Sequence, residues 1–307
     1  MGGKDVAKIV IAPDGVKLSK APGMGNPEPP VRGKVSGWTK AVARRNNDFL
    51  MAVDGAALVD QGEPYAVSLT FGRAEIVSPD GLFNVREMFF RRLRRMGLIR
   101  LHWLVEFQGD GVPHLHMLLY LPGAGQEGAI RGHWLDVAGW SGARASGQHV
   151  VSVNHLRGWK QYLGKHGIRG VHHYQRQMPE GWEEPGRMWG KLGQWPTRTL
   201  ELECDQETFF RFRRALRSYR IAAARKALRE AKPADAGKAR RSLVFARNCL
   251  REPREDGSPR ATLRGVNQWV PEAVTMRLAI ELSERPEAMV RDWADRARPL
   301  PRNGVKG

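Results

Sequence analysis

The sequence predicts an α/β fold of the α+β kind, a central antiparallel sheet with helices covering one face and a polar opposite face. Three observations predict it. Two runs of alternating apolar residues flank a glycine turn between residues 99 and 121, a third run of the same parity lies upstream at 65–71, and stretches of helical pattern separate and follow them. Strands with one dry face need cover on that face alone, which gives a two-layer form.

Residues 1–33 are rich in Gly, Pro and Lys and read as a flexible basic segment, with Ile9-Val10-Ile11 as its one candidate strand. An opening helix is expected from Ser36 to Val53. In the run Tyr65 to Phe71, Tyr65, Val67, Leu69 and Phe71 are apolar while Ser68 and Thr70 are polar, the period of a half-buried strand. A helix follows over Leu82 to Met96, carrying Phe83, Met88, Phe89 and Leu93 among arginines. Ile99, Leu101, Trp103, Val105 and Phe107 then alternate with the mostly polar Arg100, His102, Leu104, Glu106 and Gln108, and Pro113, Leu115, Met117, Leu119 and Leu121 with His114, His116, Leu118 and Tyr120. Gly109-Asp110-Gly111 between the two runs supplies turn residues that tolerate positive φ, so they form a hairpin. A second helix is expected over Gln126 to Trp140.

The hairpin's parity matters for chemistry. Cross-strand neighbours share a face, so a register pairing even with even residues gathers Glu106, His114 and His116, two imidazoles and a carboxylate suited to a divalent cation. A one-residue slip sets Glu106 opposite Leu115 and disperses them. Alone, two histidines on a polar strand face serve equally as solvated or hydrogen-bonded residues; the carboxylate on the same face favours a metal site. Leu118 excludes a His-x-His-x-His pattern.

A short helix is expected from His155 to His166, with Asn154 as N-cap and Gly167 as stop. On it Tyr162 and Lys165 share a face, as do Trp159 and Leu163. By itself Tyr-x-x-Lys is weak and compatible with a surface tyrosine. Its place one helix and one strand after the hairpin makes it notable. A long helix runs from Thr208 to about Ala231, followed by loops around 233–237 and 252–257. Pro271 opens a last helical section containing Val274, Leu278, Ile280 and Leu282, then Met289, Val290 and Trp293. The expected organisation is a flexible segment at 1–33, a catalytic domain at 34–232 and a basic, partly helical appendage at 233–307.

The chain has 307 residues, a formal charge of +18 and a sequence pI near 10.5, which attracts polyanions and predicts salt-sensitive binding to nucleic acid. Arginine and lysine clusters at 91–95, 211–214 and 238–241 are candidates to track a phosphate backbone, or solvated helix faces. Trp159, Trp182, Trp189 and Trp195 are candidates to stack on unpaired bases, or core. No apolar run reaches membrane-spanning length and no signal-peptide core is present, so a cytoplasmic protein is expected. Cys204 and Cys249 are isolated and expected reduced. No phosphate-binding Gly-x-x-x-x-Gly-Lys-Ser/Thr loop occurs, so no helicase activity is expected of this chain.

Glu106, Pro113-His114-Leu115-His116 and Tyr162-x-x-Lys165, in that order, resemble the HUH endonucleases that initiate rolling-circle replication. The stretch from Ser36-Gly37-Trp38 through His102-Trp103 to Gly186-Arg187-Met188-Trp189-Gly190 is similar to initiators of bacterial plasmids and filamentous phages, over roughly residues 32–220. The resemblance implies a ferredoxin-like or RNA-recognition-motif-like core, with His114, His116 and Glu106 as ligands of Mg²⁺ or Mn²⁺. It implies Tyr162 as the nucleophile that nicks single-stranded origin DNA through a 5′-phosphotyrosyl link, and Lys165 as its basic companion. Ser68 and Thr70 match a strand motif that engages DNA, Arg187 a position suited to a phosphate, and Tyr174-Gln175 a further motif. Host helicase and polymerase are the implied partners. Residue 166 is histidine, so the Tyr-x-x-x-Tyr pattern of two-tyrosine phage initiators is missing and a one-tyrosine mechanism is expected. A transposase or relaxase with the same chemistry, or a non-catalytic basic DNA-binding module, are the alternatives.

Overall fold

The computed structural model describes residues 7–19, 37–72, 77–165, 173–248 and 268–284. The chain divides into two compact units, residues 27–198 and the combination of 1–26 with 199–307.

The first unit is built on a five-stranded antiparallel sheet of order β6-β3-β5-β4-β7, with β3 Glu63–Thr70, β4 Arg100–Phe107, β5 Pro113–Leu121, β6 His149–Ser152 and β7 Trp189–Leu192. Helix α2 (Pro79–Arg95) joins β3 to β4, and α3 (Glu127–Ala138) joins β5 to β6. The chain order β3-α2-β4-β5-α3-β6, with β6-β3-β5-β4 as spatial order, is the ferredoxin-like βαββαβ arrangement. Both connecting helices pack on the odd-numbered face: Phe89 and Phe71 meet Trp134 edge-on at 5.5 and 5.1 Å, and the Arg86 guanidinium lies 4.1 Å above the Trp103 ring. Ser78 caps α2, its Oγ accepting from Gly81 N at 3.1 Å, with Pro79 at the first position.

The even-numbered face is also covered in part. All eight residues of β4 are buried, because α1 (Lys40–Ala52) and α4 (Leu156–Leu163) lie across that side. The sequence pattern gives β4 a wet face; the polar residues there are instead enclosed and paired with groups from neighbouring elements, Arg100 with Gln61, His102 with Asn46 and Glu106 with His116 and Lys165. Helix α1 starts four residues after the expected Ser36, where Thr39 Oγ1 accepts from Val42 N.

The second unit has a four-stranded antiparallel sheet of order β8-β1-β2-β9, with β1 Ala7–Ala12, β2 Gly15–Ser19, β8 Leu200–Cys204 and β9 Gln268–Trp269. Helices α5 (Gln206–Glu230) and α7 (Glu272–Glu284) close its core, in which Ile9, Ile11, Val16 and Leu18 meet Phe209, Phe212, Leu216, Leu278 and Leu282. This corrects the expected organisation twice. Residues 7–19 are a hairpin, because their alternating Ile and Val side chains have α5 and α7 to pack against. The long helix α5 belongs with that hairpin, so the first unit ends at 198, short of the expected boundary at 232. The expected loop at 233–237 is a single 3-10 turn that runs directly into α6 (Ala236–Asn248). The expected loop at 252–257, Cys249, and Met289, Val290 and Trp293 lie outside the described residues. Cys204 is a free thiol, and no described helix is long and apolar enough to cross a membrane.

Candidate active site

The turn after β4 fixes the register on which the site depends. Gln108 N donates to Val112 O at 2.9 Å and Gly111, at φ 82°, takes the left-handed conformation that closes the turn. Glu106 then pairs with His114 and Leu104 with His116, while on the other side of β5 Thr70 pairs with His114 and Ser68 with His116. The expected even-with-even register is the observed one, and Glu106, His114 and His116 share one face.

Helix α4 sets Tyr162 above that face, and Lys165, expected on the same helix, follows two residues after its last turn at Leu163. The Tyr162 hydroxyl is 3.3 Å from His116 Nε2, and its ring stands edge-on to the imidazole at 5.1 Å. Tyr162 as a whole is 39% exposed, so its side chain reaches solvent beside the site. The Lys165 ammonium donates to Glu106 Oε1 at 2.7 Å and lies 3.8 Å from the centre of the Tyr162 ring. Glu106 is almost wholly buried, and a buried carboxylate needs such partners to remain charged. His116 Nε2 at 2.6 Å and Gln175 Nε2 at 3.2 Å converge on the same oxygen.

The end positions of the tyrosine helix differ from expectation. His155, not Asn154, occupies the cap position without a side-chain cap, and the helix ends at Gly164; Gly167 lies outside the described residues. Tertiary hydrogen bonds hold the helix instead. Trp159 Nε1 donates to Met117 O at 3.0 Å, the buried Lys160 Nζ donates to Val53 O at 2.8 Å, and Asn46 Nδ2 donates to Leu163 O at 3.0 Å. Asn46 Oδ1 in turn lies 2.7 Å from Nε2 of the fully buried His102. Leu163 is buried as expected, whereas Trp159 is half-buried and stacks on Tyr162 at 4.9 Å.

Two of the three residues matched to DNA contacts have local partners. Ser68 Oγ lies 2.6 Å from His116 Nδ1, which orients that ring and turns Nε2 toward Glu106 and Tyr162. Thr70 Oγ1 donates to Phe71 O at 3.0 Å and receives Gln108 Nε2 at 3.5 Å. Arg187 is exposed and acts electrostatically on Arg86, which packs against the odd-numbered face. Among the tryptophans, Trp182 and Trp195 are core.

The donor set suits a divalent cation. Two imidazoles and a carboxylate share one face, and His114 Nδ1 is buried without a hydrogen-bond partner. Burial, with the neighbouring His116 ring, brings the His114 pKa down to about 4, so at neutral pH the ring is in the uncharged form that ligates metal. As placed, the side chains bond one another: among the described residues no three His, Cys, Asp or Glu groups stand ready around one point. Ligands of one ion sit at roughly 2.0–2.2 Å from it, so an ion shared by Glu106 and His116 would need their direct 2.6 Å contact to open.

Comparison with known proteins places this site in context. The chain is 39% identical over 209 residues to a protein named as a replication protein of Xylella fastidiosa (strain Temecula1), covering 64% of this chain and 78% of that one. It is 38% identical over 202 residues to the replication-associated protein G2P of Pseudomonas phage Pf3, covering 63% of this chain and 72% of that protein. The chain belongs to the family of replication-associated proteins. A second Xylella fastidiosa relative, from strain 9a5c and also named as a replication protein, is 38% identical over 206 residues, with 63% and 72% of the two chains covered. No protein-family model matches the chain, and no solved structure matches it.

Gln175, Asn46 and Lys160 are contributors to this family member's site that sequence reading left without a role. Gln175 lies on a 3-10 turn (Tyr174–Arg176) in an irregular stretch with no periodicity to place it. Asn46 did carry a signal, since a polar residue between Ala43 and Leu50 falls on the buried stripe of α1.

Proposed function

We propose that the chain nicks and rejoins one strand of origin DNA through a covalent bond to Tyr162, in a metal-dependent reaction that initiates rolling-circle replication. The observation that carries this reading is the Tyr162 hydroxyl 3.3 Å from His116 Nε2, on a partly exposed side chain, in one site with Glu106, His114 and Lys165. A divalent ion, Mg²⁺ or Mn²⁺, held by Glu106, His114 and His116 would withdraw charge from a phosphodiester oxygen and orient it.

The remaining chemistry falls to the chain's own residues. The Tyr162 oxygen attacks phosphorus as the phenol gives up its proton; the new O–P bond forms while the bond to the 3′ oxygen breaks, and that oxygen leaves as a hydroxyl after gaining a proton. The Lys165 ammonium over the ring favours the phenolate over the phenol, and Ser68 keeps His116 in one orientation. The aryl phosphodiester retains the bond energy, so a 3′ hydroxyl arriving later reverses the attack and seals the strand. In between, the released 3′ hydroxyl primes a host polymerase, with a host helicase opening the duplex. Tyr174, exposed and adjacent to Gln175, offers a ring on which an unpaired base can stack.

Incubation with a single-stranded origin oligonucleotide and Mg²⁺ or Mn²⁺ should give a denaturant-resistant protein–DNA adduct that chelator prevents. Tyr162→Phe should bind the oligonucleotide and give none. An undiminished adduct with Tyr162→Phe removes this nucleophile and the reading with it.

A further inference from the structure

Helices α5 and α6 form a hairpin held by a small core of Ile221, Ala224, Leu228, Leu243 and Ala246. Its outer surface is strongly basic. Arg229, Lys232, Lys238, Arg240, Arg241 and Arg247 are all exposed, and among the described residues none has an acidic partner. Other cations of the same unit do: the half-buried Arg211 pairs with Glu207, and the exposed Lys226 with Glu230 at 3.9 Å and Arg277 with Glu281. From Thr208 to Arg229 the sequence of α5 contains no acidic residue. Six solvated cations left uncompensated at one hairpin repel one another, and a polyanion relieves that repulsion by exchanging its own counterions for them.

The surface also lacks what an unpaired strand needs. Single-strand grooves interleave cations with exposed aromatic planes. Every aromatic side chain of α5 and α6 is turned inward: Phe209 and Phe212 are buried, and Phe210, Tyr219 and Phe245 are partly buried against the core. The exposed apolar side chain there is aliphatic, Val244.

We infer that the α5–α6 hairpin is a second DNA-binding surface, one that grips the phosphates of double-stranded DNA without reading bases. It stands independently of the reaction assigned to Tyr162. Its task is to keep the protein on duplex while a single strand is handled elsewhere.

The test uses the full chain with Lys238→Gln, Arg240→Gln and Arg241→Gln combined, an unrelated-sequence duplex of about 25 base pairs and one of its strands alone. Duplex affinity near 0.1 M salt should fall about tenfold or more, and the slope of log affinity against log salt should become shallower by about 2–3, roughly 0.9 per lost phosphate contact. Single-strand affinity and Tyr162 adduct formation should be unchanged. Glu230→Gln, which removes an acidic residue from the same hairpin, should raise duplex affinity. Unchanged duplex affinity and slope in the triple variant overturn the inference, as does an equal loss on the single strand. Absence of any adduct from the wild-type chain, with the duplex effect intact, overturns the Tyr162 reading and leaves the hairpin standing.

Discussion

At the scale of single residues, the site turns on the partners gathered at the buried Glu106. Lys165, His116 and Gln175 all meet one of its oxygens, and two of these three are recognisable from sequence. Glu106, His114 and His116 are legible because strand side chains have a period of two and the Gly-Asp-Gly turn fixes the parity; Tyr162 is legible from the helical pattern, whereas Lys165 reaches the site from beyond the end of that helix. Ser68 was assigned to DNA by resemblance, while its hydrogen bond to His116 follows from strand pairing that sequence does not print. The buried histidines carry a testable consequence. Burial lowers the His102 pKa to about 3, with Lys191 adding to the effect, and that of His114 to about 4. Both lie below the unfolded value near 6.5, so between about pH 6.5 and 4 the unfolded chain binds more protons than the native one. Stability should therefore rise with pH across that window and be lost as pH falls through it, by up to about 1.4 kcal/mol per unit per histidine. Urea midpoints of the metal-free protein at pH 7 and pH 5 check this. Equal midpoints would mean that these rings are not buried neutral.

At the scale of elements, α4 has only eight residues and no side-chain cap, so its geometry is borrowed from neighbours. Asn46 uses both ends of its amide, donating to the carbonyl that follows Tyr162 and accepting at His102 of β4. Asn46→Leu strands a buried ring nitrogen and a helix-end carbonyl. We expect a loss of about 1–3 kcal/mol in urea unfolding and a roughly tenfold slower single-turnover adduct formation, as a displaced nucleophile loses its alignment. Oligonucleotide affinity should stay the same. A stability loss with no change in adduct rate would reduce Asn46 to packing. The helix itself was visible in the sequence; its supports were not, because they come from α1 and β5, remote in the chain and joined to it through backbone carbonyls.

At the scale of the whole molecule, strands β3, β4 and β5 and their connecting helices are readable from local patterns, since each is a contiguous run, whereas the ferredoxin-like order of the sheet is implied by the resemblance and not by any local pattern. The boundaries of the units were not. Strands β1 and β8 pair across most of the chain, Ile9 facing Leu202, and no window of sequence contains both. Each unit has its own buried side chains, so residues 27–198 expressed alone should fold and still form the Tyr162 adduct, while losing the salt-steep duplex affinity assigned to the hairpin. Gel-resolved adduct and duplex titration on that fragment decide both points.

The pairing of β1 with β8 also imposes a timetable. During synthesis the β1–β2 ribbon leaves the ribosome first and then waits for a partner strand made roughly 180 residues later, on the order of ten to forty seconds at bacterial elongation rates. A lone two-stranded ribbon is marginal in water, so through that interval its Ile and Val face is exposed, and the unit of residues 27–198 can be complete before the unit that brackets it in sequence has closed.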